Sequence, residues 1–318
     1  MRLQAHPLVL DAAQSAKDVE RYFGASLDVL RELIDFATNL EIRIHSMGVG
    51  DTDRVVGVGV LYHRNVALMD AAELLLRSGQ VYGARLQARA LLEASWNLEW
   101  MLNADVHRRA CQFYVLDLRK RIAEPERFIP GTASNDELKS VISAANVFDK
   151  ERILAISEEE IAGARQNIAE IRQRIREVPD FQFVNAEIDR QKKLAGLKWF
   201  QLFGGPNDHR NLAKRLGYES EYEIFYRLDS NAVHGTWVQD HISIRNDIAR
   251  SVPIRGLRDF GRVADVVWNA AFRSTKQVID HFRPGEMLTF LRQFMPGGNS
   301  RWDPPIVESE IEAVVPYG

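Results

Sequence analysis

The segment Tyr226-Arg227-Leu228-Asp229-Ser230-Asn231-Ala232-Val233-His234-Gly235 gathers several side chains that can do chemistry. Wound as a helix, seven residues advance almost two turns, so Arg227 and His234 share a face about 10 Å apart along the axis. Ser230 and Asn231 fall between them on that face. An imidazole moves protons near neutral pH. A guanidinium grips a phosphate with two hydrogen bonds and stabilises charge on a phosphorane-like transition state. Together these groups suit metal-independent RNA cleavage, in which a 2′-hydroxyl attacks the adjacent phosphodiester. One such helix is too long for a single phosphate, and a two-fold pair would bring two Arg/His sets around one strand. A structural reading stands beside this one, with His234 favouring the dipole of a last turn and Gly235 stopping the helix.

A second polar face is written at four-residue intervals: Arg85, Arg89, Glu93 and Asn97, flanked by Leu86, Leu92, Trp96 and Trp100. An exposed Arg89–Glu93 pair at i,i+4 contributes only a few tenths of a kcal/mol. The large apolar neighbours point to partial burial, where charges are costly and are kept paired. His234 and His241 are seven apart, and Asp240 or Glu93 could join them, but Gly235 interrupts the helix between them. No metal and no cofactor is assigned. Downstream, Arg245, Arg250, Arg255, Arg258 and Arg262 stand against Asp247 and Asp259. That local basic excess could track a phosphate backbone.

Standard signatures of other chemistries are absent. The chain has no G-x-x-x-x-G-K-[ST] phosphate loop, no H-E-x-x-H and no G-x-S-x-G. Val56-Gly57-Val58-Gly59 lies within a helical pattern and lacks the rest of a dinucleotide fingerprint.

The elements that must position these residues read as helices. Leu27, Leu30, Ile34, Ala37 and Ile44 form one amphipathic stripe, and Val55 to Leu75 continues a helical period to Ser78-Gly79. A third helix runs from about Val81 to Leu102, and Glu219–Val233 and Leu257–Phe282 are helical in the last third. No alternating run between turn signals predicts a sheet. Ser157 with Glu160 makes a capping box. After it, Ile161, Ala164, Ile168, Ile171, Ile175 and Val178 alternate spacings of three and four, the seam of a coiled coil. Pro179 ends that helix, and a polar stretch, Gln182–Lys193, follows. The expected organisation is a first helical part of a bundle at 1–134 and an inserted coiled-coil hairpin at 135–200. The second helical part, with the candidate site, is 201–283, and an extended tail is 284–318.

Length and composition bound the class. The chain has 318 residues, formal charge −3, 46% hydrophobic and 27% charged residues, which is ordinary for a globular protein and excludes a disordered or collagen-like one. A single cysteine, Cys111, excludes an internal disulfide and fits a reducing cytoplasm. No apolar run is long enough to span a membrane, and the start Met1-Arg2-Leu3-Gln4-Ala5-His6-Pro7 has no hydrophobic leader core. The near-neutral balance argues against a protein that mainly coats nucleic acid.

Two resemblances attach to these residues. Leu61-Tyr62-His63-Arg64-Asn65-Val66-Ala67-Leu68-Met69-Asp70-Ala71-Ala72-Glu73-Leu74-Leu75, running through Gly79 to Arg89-Ala90-Leu91-Leu92-Glu93-Ala94, is one motif. With Tyr226-x3-Ser230-x2-Val233-His234-Gly235, it resembles the bacterial domain-of-unknown-function family DUF5677. That resemblance implies an all-helical cytoplasmic fold and marks Arg89, Glu93, Ser230 and His234 as signature positions. The Arg227…His234 spacing is also similar to the R-x(4–6)-H motif of HEPN proteins. These are helical bundles, commonly dimeric, many of them RNases in toxin–antitoxin, CRISPR or phage-defence systems. Carried over, Arg227 and His234 are catalytic and Asp229 and Ser230 are polar supports. The sequence departs from the HEPN pattern in that Leu228 follows the arginine and the polar Asp229 comes one place later. The expectation is an all-α, HEPN-like bundle forming a homodimer, acting on RNA, with an antitoxin or defence protein as a candidate partner. The alternative is a non-catalytic helical module that binds a partner protein or small ligand.

Overall fold

The computed structural model describes residues 9–45, 54–145, 155–191, 194–227, 242–245, 248–295 and Trp302, with backbone alone at 54–56, 243–245 and 248–250. In chain order the helices are α1 (Ala12–His45), α2 (Val60–Arg77), α3 (Val81–Leu102), α4 (Val106–Glu126) and α5 (Ala133–Ala144). Then come α6 (Glu158–Glu177), α7 (Pro179–Arg190), α8 (His209–Arg215), α9 (Phe260–Phe282) and α10 (Met287–Phe294). The fold is a helical bundle, with one two-stranded hairpin as its only sheet among the described residues. The chain divides into two units, Met1–Ala104 with His209–Gly318, and Asp105–Asp208.

In the first unit, α1 packs on α2, α2 on α3, and α9 against all three. The stripe expected on α1 is buried along its length, and Val19 and Phe23 carry it back toward Ala12. Asp11 caps that end by accepting from the Gln14 amide at 2.9 Å. The α2–α3 joint is a Schellman turn: Gly79 N–H donates to the Leu76 carbonyl and Gln80 N–H to that of Leu75. Gly79 sits at φ +72°, where an added Cβ would also lie 3.2 Å from that of Ser15. Gly79→Ala is therefore expected to cost about 1–2 kcal/mol in urea unfolding; an unchanged midpoint would contradict this.

Departures from the expected elements have local causes. A π-turn, Arg54–Gly59, precedes α2. The antiparallel strands β1 (Ile242–Arg245) and β2 (Ile248–Ser251) pair Ile242 with Ser251 and Arg245 with Ile248. At four residues each they are too short to display an alternating pattern. The stretch 284–318 is not uniformly extended, because α10 packs on α9 with Phe290 and Phe294 buried. Phe290 sits 5.4 Å from Phe36 and 5.1 Å from Phe272. Trp302 stacks flat on Trp268 at 4.5 Å.

The second unit begins at Asp105 rather than at 135, because α4 packs on both α6 and α7. The capping box that starts α6 is formed: Ser157 N–H donates to Glu160 Oε2 at 2.9 Å, and Glu160 N–H donates to Ser157 Oγ at 3.2 Å. Ile168, Ile171 and Ile175 are buried, and Ile161, Ala164 and Val178 are partly covered, so the narrow seam is the face turned inward. Val178 is extended before Pro179, which disfavours helix in the residue ahead of it but suits a first helical position. The polar stretch after Pro179 is accordingly the helix α7, with Phe181, Val184 and Ile188 buried. No helix among the described residues is long and apolar enough to cross a membrane.

Candidate functional site

In the first unit the α3 residues Arg89, Glu93 and Trp96 lie one turn after another on one face. Facing them is a short helical turn, Glu219–Glu221, that widens into a π-turn over Tyr222–Tyr226. Such a turn commonly marks a functional or strained position. It stacks the Tyr222 and Tyr226 rings at 4.9 Å, with Trp96 at 5.5 Å from Tyr226.

Arg89, Tyr226 and Glu93 form a hydrogen-bonded chain. The Tyr226 hydroxyl donates to Glu93 Oε1 at 2.6 Å and accepts from Arg89 Nη2 at 3.1 Å. The Arg89 guanidinium also lies over the Tyr226 ring, 4.3 Å from its centre. His209, at the start of α8, brings Nε2 to 3.7 Å from Glu93 Oε2, too long for a hydrogen bond but close enough for charge to be felt. Arg89 and His209 are only 17% and 16% exposed, and Glu93 25%. Arg89 Nη1 is buried without a hydrogen-bond partner among the described residues. Such a cluster can take up a proton, hold a phenol in place and face an anion with a guanidinium.

Burial first, and the hydrogen bond to Glu93 second, push the Tyr226 phenol up to about 12, against a lowering by Arg89. Tyr218 is likewise raised to about 12, chiefly by burial, against a lowering by Arg273. Both phenols hold their proton more tightly in the fold than at the ordinary value of 10.0. The stability they contribute is thus full below pH 10 and lost as pH rises from 10 toward about 12. A shallower fall of the melting temperature over that range is expected for Tyr226→Phe than for the wild type. Equal slopes would contradict the burial of this hydroxyl.

Below this cluster a second one fixes the turn. Arg273 of α9 meets Glu221 with two hydrogen bonds, at 3.1 and 3.0 Å, and its Nε donates to Ser95 Oγ at 3.2 Å. Trp96 Nε1 donates to Glu221 Oε2 at 2.8 Å, and the Arg273 guanidinium lies 4.1 Å from the Tyr218 ring centre.

The structure thus brings Arg89 and Glu93 together as a partly buried pair, 3.9 Å apart at the closest polar atoms. Arg227 stands apart from it: 67% exposed, it pairs with Glu223 Oε2 at 3.1 Å. Asp229, Ser230, Asn231 and His234 lie outside the described residues, as do His241 and Asp240. In the basic stretch, Arg255 donates to the Ser78 carbonyl at 3.4 Å and Arg262 lies 3.7 Å from Asp259. Sequence reasoning assigned no role to Tyr226, His209, Glu221 or Arg273. Tyr226 belongs to the motif that ends in His234, which was the available signal. The other three have no local spacing that connects them to α3. Among the described residues no group of three or more His, Cys, Asp and Glu is placed to hold a metal ion.

Neither the curated proteins nor the solved structures contain a match to this chain. The model of a family of unknown function, DUF5677, matches residues 56–249, a span that holds the whole Arg89–Tyr226–Glu93 chain. The chain belongs to the DUF5677 family.

Proposed function

We propose that this protein is a HEPN-like, metal-independent endoribonuclease, a toxin or phage-defence effector of the cytoplasm that works as a homodimer. The observation that carries the reading is the Arg89–Tyr226–Glu93 chain of hydrogen bonds. It holds Tyr226 immediately ahead of the segment bearing Arg227, Ser230 and His234. In this reading His234 takes the proton of the 2′-hydroxyl as its oxygen attacks phosphorus. The bond to the 5′-oxygen breaks, and the proton that His234 took up passes to that oxygen, giving a 2′,3′-cyclic phosphate and a 5′-hydroxyl. Arg227 stabilises the phosphorane, Arg89 and Glu93 orient the pocket wall, and Asp229, Ser230 and Asn231 support the segment. An antitoxin or defence protein is the proposed partner. Growth arrest and RNA decay on expression in a bacterial host, relieved by His234→Ala, are expected. Equal arrest by both forms would contradict the assignment.

A second reading is favoured by one contact. Arg227 is exposed and occupied by Glu223, which suits a non-catalytic module that binds a partner protein or a small ligand. There, Arg227→Ala would leave function unchanged, whereas the nuclease reading requires its loss.

A further inference from the structure

A cleft of about 360 Å³ opens within the second unit, between α4, α6 and α7. Its size falls in the range of small-molecule sites, about 300–1,000 Å³. The floor is aliphatic: Ile122, Ala123, Ile175 and Leu194. Three guanidinium groups stand at the rim, those of Arg119, Arg172 and Arg176. Two are committed within the fold. Arg172 pairs with Glu126 at 2.5 Å, and Arg119 Nη1 donates to Asn185 Oδ1 and Asp189 Oδ1, both at 2.8 Å. Arg176, on the turn of α6 beside Ile175, is exposed and has no carboxylate partner among the described residues.

These details select the occupant. Among the described residues no aromatic ring lines the cleft, so a nucleobase would lack an aromatic stacking surface there. The Asn185 amide is held in place at both ends, its Oδ1 accepting from Arg119 and its Nδ2 donating to Asp189 Oδ2 at 3.0 Å. An aliphatic floor beside a cation that has no carboxylate partner among the described residues fits an alkyl chain with a single anionic head. At about 30 Å³ per water-sized group, the space suits roughly a dozen non-hydrogen atoms.

We propose that this cleft binds a medium-chain alkyl anion, a carboxylate or a phosphate monoester. Its chain lies on Ile122, Ala123, Ile175 and Leu194, and its head faces Arg176. The site lies in a different unit from the Arg89–Glu93 cluster and stands or falls independently of the nuclease reading.

Titration calorimetry on the full chain tests this, with decanoate, decyl phosphate, AMP and inorganic phosphate as probes, the alkyl probes kept below their micelle concentrations. Binding of decanoate or decyl phosphate is expected, and the preferred head tells carboxylate from phosphate. Arg176→Glu, at an exposed position that leaves the core intact, should weaken that binding by about tenfold or more. Ala123→Leu, which adds bulk to the floor, should weaken it independently of charge. The proposal is overturned if neither alkyl probe binds, if Arg176→Glu binds as well as the wild type, or if AMP binds where the alkyl probes do not.

Discussion

Glu221→Ala should destabilise the first unit by about 3 kcal/mol, a large share of the ~5–15 kcal/mol that holds a domain together. The carboxylate serves three donors: two from Arg273 and one from Trp96 Nε1. Trp96 is fully buried, and Arg273 and Glu221 are only 16% and 17% exposed. Removing the carboxylate leaves a poorly hydrated guanidinium with Ser95 Oγ as a remaining acceptor, and strips the indole N–H of its acceptor. The residual exposure places the cost at the lower end of what broken buried pairs show. In thermal unfolding this amounts to a drop of about 6–12 °C for a unit of this size. The double substitution Glu221→Leu with Arg273→Met should be much milder than Glu221→Ala, because no uncompensated charge is left behind. A Glu221→Ala protein within about 0.5 kcal/mol of the wild type would mean that the pair does not hold the turn.

How much of this was legible along the chain depended on the range of the interactions. The α3 helix could be read to both ends, because Leu86, Ala90, Trp96 and Trp100 keep one period between Gly79 and the Asn103 cap. The capping box of α6 could be read because it is a contact within three residues, and the spacing of Ile168, Ile171 and Ile175 marked the face that packs against other helices. α7 was missed because Gln182, Asn185, Glu187, Asp189 and Arg190 outnumber Phe181, Val184 and Ile188, although those three keep helical spacing. α10 was missed because eight residues between Pro284-Gly285 and Pro296-Gly297 resemble a broken tail, although Phe290 and Phe294 are one turn apart. The candidate site divides the same way. Arg89 and Glu93 announce themselves by their spacing, but Tyr226 lies 133 residues from Glu93, and Glu221 lies 52 from Arg273. Only tertiary packing brings such partners together. The π-turn at Tyr222–Tyr226 was equally hidden, since one added residue per turn leaves no apolar signature.

The largest functional effect is expected at the end of the motif that begins with Tyr226. A proton-transferring imidazole contributes about 10²–10⁴-fold to a rate, so His234→Ala should lower RNA cleavage by that factor. Arg227 distinguishes a catalytic from a structural role. Its pair with Glu223 is exposed, so Arg227→Ala should change unfolding by less than about 1 kcal/mol. If Arg227 stabilises the phosphorane, the same substitution should still cost about 10²–10³-fold in cleavage. A protein that loses neither stability nor activity in Arg227→Ala would place the arginine outside the reaction.

The most direct measurement is cleavage of bulk tRNA and of a mixed single-stranded RNA by the purified chain in EDTA, beside His234→Ala. Fragments with 2′,3′-cyclic phosphate ends are expected from the wild type, and their loss in the variant. Undiminished cleavage by His234→Ala, or none by the wild-type chain, would contradict this.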